Sequence, residues 1–66
     1  MEQGKVKWFD ENRGMGLIRQ DNGREFSVHF SDIEGEGFKT LDAGDRVLFR
    51  TLPERQDRRA VNVRRQ

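Results

Sequence analysis

Hydrophobic and polar residues alternate with a period of two in five short segments of the chain. This alternation places successive side chains on opposite faces of a strand, so each segment is predicted to be a β-strand with one buried face. Gly, Asn and Asp residues separate the segments, as is typical of tight turns. The predicted strands cover residues 5–8, 15–19, 26–30, 46–51 and 60–64.

The breaks between the segments predict the architecture. Asp21-Asn22-Gly23 has the composition of a tight hairpin, because Asn and Gly tolerate the positive φ that two-residue hairpin loops need. No window sustains a helical stripe, and residues 31–34 could form one turn at most. Five short strands with glycine-rich turns favour an all-β fold and a small barrel, because closure removes the exposed edges of a flat sheet.

The alternation also sorts the side chains into an inner and an outer face. The inner face is expected to form the core, with Ile33 closing one end: Val6, Ile18, Phe26, Val28, Val47, Phe49, Val61 and Val63. The outer face is expected to gather apolar groups beside positive charge: Lys7, Trp8, Met15, Leu17, Ser27 and His29. Because Lys7 and Trp8 are sequence neighbours, both reach the outer face only if a bulge interrupts the first strand.

Length and composition narrow the function classes. A chain of 66 residues has room for one compact domain, predicted to span residues 1–66. It has no Cys and one His, so neither a disulfide nor a protein-ligated metal site is expected, and nothing indicates a cofactor. Its apolar runs are two or three residues long, so neither a membrane-spanning helix nor a signal peptide is expected.

The charges are distributed unevenly along the chain. Thirteen basic and twelve acidic residues give a net charge of +1. Residues 31–45 carry one Lys against five acids, a net charge of −4, whereas residues 46–66 carry seven Arg against two acids, a net charge of +5. Such a surface can steer an anion to one side although the sum is near zero.

Residues 4–9, Gly-Lys-Val-Lys-Trp-Phe, set two cations beside two large rings. Single-stranded nucleic acid needs both groups, because cations bind phosphates and flat π-faces stack on unpaired bases. The candidate contacts are therefore Lys5 and Lys7 with Trp8 and Phe9. The pattern is equally compatible with a buried Trp8 and a solvated edge of lysines, since Trp is highly buried on average.

A nucleophilic site is the main catalytic alternative. It would pair Ser27 or Ser31 with His29 and Asp32, but these residues lie within one six-residue stretch on an open sheet. The stretch implies neither a concave site nor oxyanion donors. His29 is therefore interpreted as a stacking or hydrogen-bonding group, and no catalytic residue is predicted.

Two loops offer further contacts. Residues 34–40 form an acidic, glycine-flanked segment whose ring, Phe38, could fold over a base or anchor the loop to the barrel end. Arg58, in the loop before the last strand, could meet a phosphate or stack on a base. The arginine-rich segment as a whole is most simply a solvated surface.

These segments resemble the bacterial cold-shock proteins, the single-domain form of the cold-shock domain. The resemblance rests on residues 4–9, on Val-His-Phe-Ser at 28–31 and on Gly-Glu-Gly-Phe-Lys-Thr-Leu at 35–41, with further agreement at Gly44 and residues 60–63. It implies a five-stranded antiparallel OB-fold barrel that is monomeric and cytoplasmic. It further implies binding of single-stranded RNA or DNA, as an RNA chaperone or a regulator of transcription or translation, without catalysis.

The resemblance carries over residue by residue except at three outward positions and at the family's Gly-Pro before the last strand, which is Asp57-Arg58 here. Where the family has outward aromatic rings, this chain has Met15, Leu17 and Ser27, and Arg13 keeps the family's positive charge. An alternative is therefore a protein-interaction or purely structural barrel with weakened nucleic-acid binding, because a Met/Leu patch suits adaptable apolar contacts. The predicted nucleic-acid contacts are Lys5, Lys7, Trp8, Phe9, Arg13, Met15, Leu17, His29, Phe30, Phe38 and Arg58.

Overall fold

Five β-strands and one short 3₁₀ turn form the described part of the chain. The computed structural model describes residues 1–35, 39–52 and 58–66. The elements are β1 (Glu2–Asp10), β2 (Met15–Gln20), β3 (Glu25–His29), a 3₁₀ turn (Phe30–Asp32), β4 (Arg46–Thr51) and β5 (Ala60–Arg65). All five predicted strands are confirmed, and the helical turn overlaps the predicted position.

The strands pair in one antiparallel sheet in the order β3-β2-β1-β4-β5. The sheet curls until its two ends meet. There the Ser27 amide donates to the Arg58 carbonyl at 2.7 Å, and the Glu34 amide donates to the Val63 carbonyl at 2.7 Å. These bonds pair backbone groups that a flat sheet would leave exposed at its edges. The predicted all-β OB-type barrel is confirmed.

The core lies inside the curled sheet and is apolar. Phe26 and Phe49 meet there with ring centroids 5.6 Å apart and planes tilted by 56°. Every residue expected to be inside except Val61 is buried, together with two that were not expected, Leu41 and Ala60. The buried set is Val6, Ile18, Phe26, Val28, Ile33, Leu41, Val47, Phe49, Ala60 and Val63.

The expectation that Val61 is inside is wrong, because β5 contains a bulge. Two of its residues, Asn62 and Val63, lie opposite the single residue Phe49 of β4. Asn62 has a φ of 52°, a left-handed conformation that Asn tolerates better than most residues. The extra residue breaks the strict alternation, so Ala60 and Val63 face the core while Val61 is half-buried.

The β2–β3 hairpin loop consists of the predicted turn residues, Asp21, Asn22 and Gly23. The Gln20 amide donates to the Arg24 carbonyl at 2.7 Å, and the Gly23 amide donates to the Gln20 carbonyl at 2.8 Å. Gly23 alone in this loop has a positive φ, 97°. Asn22 does not share it, and its side-chain oxygen accepts the Arg24 amide at 3.0 Å. This is the three-residue hairpin loop, in which glycine takes the left-handed position.

Candidate nucleic-acid interface

An irregularity in β1 brings two neighbouring side chains to the outer surface. Val6 pairs with Ile18 of β2, but Trp8 pairs with Leu17, so Lys7 is the extra residue of a bulge. Lys7 and Trp8 are consequently both exposed. The predicted bulge is confirmed, and the alternative interpretation of Trp8 as a core residue is wrong.

Cross-strand pairing gathers the outer side chains of β1, β2 and β3. Leu17 pairs with Trp8 on one side and with Ser27 on the other, and Met15 pairs with His29. Side chains paired in this way on one face of an antiparallel sheet lie about 5 Å apart. We call the surface that they form with the adjoining Phe30 the stacking face: Trp8, Met15, Leu17, Ser27, His29 and Phe30.

The stacking face is unusually apolar for an exposed surface. Trp8, Met15 and Phe30 retain 45%, 43% and 49% of their accessible surface, respectively. Leu17 is half-buried between its two cross-strand partners. Isolated apolar groups are ordinary on protein surfaces, whereas a contiguous group that includes two aromatic rings is typical of a binding surface.

His29 and Phe30 form a pair of rings at one end of the stacking face. Their centroids lie 4.5 Å apart and their planes are inclined by 41°. The His29 Nδ1 lies 2.8 Å from the Ser31 hydroxyl and accepts the Ser31 amide at 3.3 Å. An Nδ1 that accepts leaves the proton of the neutral ring on Nε2, which can then donate to a base.

Gly14 packs directly against the ring of Phe30. The Phe30 amide donates to the Gly14 carbonyl at 2.8 Å. Gly14 has a φ of 69°, and a Cβ at this position would lie 2.7 Å from Cδ1 of the Phe30 ring. Only glycine combines this conformation with the close approach of the ring. The glycine therefore determines where the exposed ring lies.

A partly buried ion pair fixes the turn that carries His29 and Phe30. The Asp32 carboxylate is buried and accepts the His29 amide at 3.1 Å. It also accepts Nε and Nη2 of Arg59, at 3.1 and 3.0 Å. Such bidentate, charge-assisted bonds are the strong ones in proteins, so they hold the two ends of the barrel together at this turn.

The same contacts bear on the catalytic alternative. The Asp32 carboxylate engages Arg59 and a backbone amide, and no bond joins it to the His29 ring among the described residues. The Ser27 hydroxyl donates to the Arg58 carbonyl at 3.2 Å. The Ser31 hydroxyl does contact His29 Nδ1, at 2.8 Å, but without Asp32 on the ring these side chains do not form a Ser-His-Asp relay.

One of the predicted aromatic contacts, Phe9, is not part of the stacking face. Phe9 is half-buried and packs against the core, opposite Gly16 in the sheet. A Cβ on Gly16 would lie 2.7 Å from the Phe9 ring, so the glycine makes room for a ring that packs inward. Phe38 lies outside the described residues.

The cations beside the stacking face differ in how far they are already paired. Lys7 Nζ lies 2.9 Å from Glu25 Oε2, so its charge is partly balanced within the protein. Lys5 and Arg58 are exposed and make no side-chain hydrogen bond or ion pair within residues 1–35, 39–52 and 58–66. Arg13 is also exposed, and among the described residues its guanidinium makes only a long contact with Asp10, at 3.8 Å.

Two further cations, which were not among the predicted contacts, lie near the same surface: Arg19 and Arg46. Arg19 shares the alternation of Met15 and Leu17, so the period-two pattern already placed it on the outer face. Arg46 comes beside β1 only through the β1–β4 pairing. No local signal in the sequence reports such a long-range pairing.

Neither a metal-ligating cluster nor a membrane-spanning helix is found in the described part of the chain. No three His, Cys, Asp or Glu side chains of these residues are grouped so that they could hold a metal ion. None of its helices has the length and apolar character needed to cross a membrane.

The chain matches the family model described as the 'Cold-shock' DNA-binding domain over residues 2–66. It is 45% identical over 65 residues to the cold shock protein CspC of Bacillus subtilis (strain 168), which covers 98% of each chain. It is 44% identical over 63 residues to the cold shock protein CspB of Bacillus caldolyticus, which covers 96% of each chain. The cold shock-like protein CspLB of Listeria monocytogenes is 46% identical over 63 residues, with 96% of each chain covered.

Proposed function

Because the chain belongs to the cold-shock domain family, we propose that it binds single-stranded RNA or DNA by stacking unpaired bases on the stacking face. Its role is that of an RNA chaperone or a regulator of transcription or translation. The observation that carries the proposal is the exposure of Trp8 and Phe30, each close to half, on a surface flanked by cations.

The stacking face offers three aromatic side chains and an apolar centre without rings. A base stacked on an aromatic side chain gains about 1–3 kcal/mol. Trp8, His29 and Phe30 supply such rings, and Met15 and Leu17 contact a base without a π-face. Ser27 contributes little contact of its own. The affinity is thus expected to be lower than that of a face with rings at all of these positions.

Phosphate contacts offset part of this loss. Lys5, Arg13 and Arg58 are exposed cations available to the backbone of the strand. Lys7 contacts a phosphate only by exchanging its bond with Glu25. Each phosphate contact lowers the slope of log K against log salt by about 0.7 for a single strand. Binding is therefore expected to be strongly salt-dependent and weakly selective among bases.

We further propose that the protein acts as one domain of residues 1–66, as a monomer in the cytoplasm and without catalysis. The absence of catalysis is supported by the contacts of Ser27 and Asp32, which bond to Arg58 and Arg59 rather than to the His29 ring. The description of the matching family model as a DNA-binding domain supports a binding role.

Fluorescence of Trp8 tests the proposal directly, because it is the only Trp in the chain and lies on the stacking face. Titration with an oligothymidine strand at low salt is expected to quench the emission, since a stacked base covers the indole. A duplex of the same length is the control and should quench little, because its bases are already stacked. No quenching at micromolar strand concentrations, with the fold intact, would contradict the proposal and favour the protein-interaction alternative.

Replacement of Phe30 locates the bound strand while Trp8 still reports binding. Phe30→Ala is expected to weaken binding by about 1–3 kcal/mol, because one stacking ring is lost. Leu48→Ala is the matched control, since it removes a half-buried apolar side chain of β4 that is not on the stacking face. Equal affinities of Phe30→Ala and the parent protein would mean that the strand binds elsewhere.

A further inference from the structure

The outer surface of β1 continues beyond the stacking face into a row of cations. Lys5 pairs with Arg19 of β2 on one side and with Arg46 of β4 on the other. Like charges directly opposite one another in a sheet are destabilising. Three cations in a row across three adjacent strands therefore repel one another, and anions that bind nearby relieve this repulsion.

Two carboxylates of the chain neutralise the positive charge of this row only in part. Glu25 accepts Nη2 of Arg19 at 3.0 Å, and Asp21 accepts Nη1 and Nη2 of Arg46, both at 2.9 Å. These bonds occupy the two outer cations of the row. Lys5, in the middle, is exposed and makes no hydrogen bond or ion pair in the described part of the chain.

The row borders an open depression in the outer surface. Its volume is about 400 Å³, and four of its six lining residues are cations: Lys5, Val6, Lys7, Arg19, Asp21 and Arg46. Glu25, which bonds Lys7 and Arg19, is the second carboxylate of the cluster. Four cations against two carboxylates leave a net charge of +2 at this place.

The depression adjoins the stacking face on the same side of the sheet. Arg19 follows Leu17 by two residues along β2, which corresponds to about 7 Å at ~3.3 Å per residue. Lys7, another lining residue, directly precedes Trp8. A strand that leaves the stacking face toward β4 therefore passes over the depression.

We propose that this depression, which we call the Lys5 site, binds a phosphodiester group of the same single strand whose bases lie on the stacking face. The proposal rests on the proposed function and extends its surface toward β4. The Lys5 ammonium is a compact charge with three donors, which suits a phosphate without requiring one fixed orientation. Lys7 and Arg19 share the one carboxylate of Glu25 and so add a further positive charge on the β2 side, whereas the charges of Arg46 and Asp21 balance each other.

Two charge-removing variants test the Lys5 site with the whole protein. Lys5→Gln removes the central cation without breaking an ion pair between described residues, although the charge of Lys5 also helps to lower the pKa of Asp21. Arg50→Gln is the matched control, because Arg50 is also an exposed, unpaired strand cation in the described residues, and it borders a different depression. Binding of oligothymidine strands of about four and about twelve nucleotides, which fall within the range of OB-fold site sizes, is followed through Trp8 emission at several salt concentrations.

For the longer strand, Lys5→Gln is expected to weaken binding about fivefold at ~0.1 M salt, since one phosphate contact changes the log–log salt slope by about 0.7. Arg50→Gln should retain the affinity and the slope of the parent protein. The shorter strand should lose much less in Lys5→Gln, because it does not need to leave the stacking face.

Three outcomes would overturn the Lys5 site. Equal losses in Lys5→Gln and Arg50→Gln would mean that only net charge matters. Unchanged binding of the longer strand by Lys5→Gln would remove the site while leaving the proposed function in place. Absence of strand binding by the parent protein, with its fold intact, would overturn both the site and the proposed function.

Discussion

The ring of Phe30 lies across the backbone of Gly14, and this contact illustrates how single residues shape the stacking face. Met15 and Leu17 occupy its centre without rings, and Trp8 and Phe30 are its most exposed aromatic groups. The sequence suggested these residue types, but the exposure of Trp8 could not be decided from alternation alone. It depends on a bulge at Lys7, which the β1–β2 register reveals.

Two glycine replacements distinguish the contact between Gly14 and the Phe30 ring from the general cost of a side chain at positive φ. Gly14→Ala and Gly23→Ala both place a side chain at positive φ and are each expected to lose about 1–2 kcal/mol of stability. Only the Cβ at position 14 meets the Phe30 ring, whereas nothing lies within 4 Å of the one at position 23. Strand binding should therefore weaken in Gly14→Ala alone. Denaturant unfolding and the Trp8 titration measure the two effects, and equal weakening of binding in both variants would contradict the role of Gly14.

Substitutions at position 27 test whether a further aromatic ring on the stacking face strengthens strand binding. Ser27→Phe is expected to strengthen strand binding by about 1–3 kcal/mol, because it adds a π-face beside Leu17. Ser27→Leu is the matched control, since it also loses the hydroxyl bond to Arg58 but supplies only an apolar contact. A titration of both variants should rank Phe above Leu. An equal gain in the two would show that apolar area, rather than stacking, determines affinity.

At the scale of elements, regular alternation was enough to predict the five strands, and the exceptions arise where the register shifts. Local residue types indicated the β1 bulge. The β5 bulge was missed because it depends on the left-handed backbone of Asn62 opposite Phe49. Likewise, Lys7 was predicted to contact nucleic acid, but its partner Glu25 could not be predicted, because it comes from β3 and is brought near by tertiary pairing.

Arg58 and Arg59 are sequence neighbours with opposite expected roles at the junction of β3 and β5. Arg59→Met is expected to lower the free energy of unfolding by about 2–3 kcal/mol, because the buried Asp32 carboxylate loses two charged hydrogen bonds. This loss is smaller than for a fully buried ion pair, because Arg59 is partly exposed. Arg58→Met should leave stability unchanged but reduce the salt slope of strand binding by about 0.7. Urea unfolding and titrations at two salt concentrations measure both. A loss of stability in Arg58→Met as large as in Arg59→Met would contradict this division.

At the scale of the whole molecule, folding redistributes the charge that looked segregated along the sequence. Arg65 of the basic C-terminal segment pairs with Asp45 at 2.9 Å, and Arg59 pairs with Asp32. The acidic and basic segments therefore partly neutralise each other. The cationic character near the stacking face comes from both parts of the sequence, and the segment totals could not show this: Lys5, Lys7, Arg13, Arg19, Arg46 and Arg58.

Acid should weaken the fold through the carboxylates of the cationic row. Hydrogen bonds from Lys7 and Arg19 hold the pKa of Glu25 below its ordinary value of 4.5, and the bond from Arg46 lowers the pKa of Asp21 below 3.8. A carboxyl group with a lowered folded pKa stabilises the protein above its unfolded pKa, and this stability is lost as the pH falls through the folded pKa. The melting temperature should therefore be constant near neutral pH and should decrease when the pH is lowered below 4.5.

Substitution identifies the carboxylates responsible. A double variant, Glu25→Gln with Asp21→Asn, is expected to show a shallower fall in melting temperature with acid, because both titrating partners are gone. Glu11→Gln is the control, since Glu11 makes no hydrogen bond or ion pair among the described residues. An acid profile of the double variant as steep as that of the parent would contradict the assignment.

Chemical-shift mapping by NMR tests most directly whether unpaired nucleotides bind on the stacking face. On addition of oligothymidine at low salt, the largest shifts are expected at the Trp8 indole N–H and at the amides of Leu17, His29 and Phe30. The amides of Val61 and Arg64 in β5 should move little. Large shifts confined to β4 and β5, or no shifts while the protein remains folded, would contradict the assignment of the stacking face.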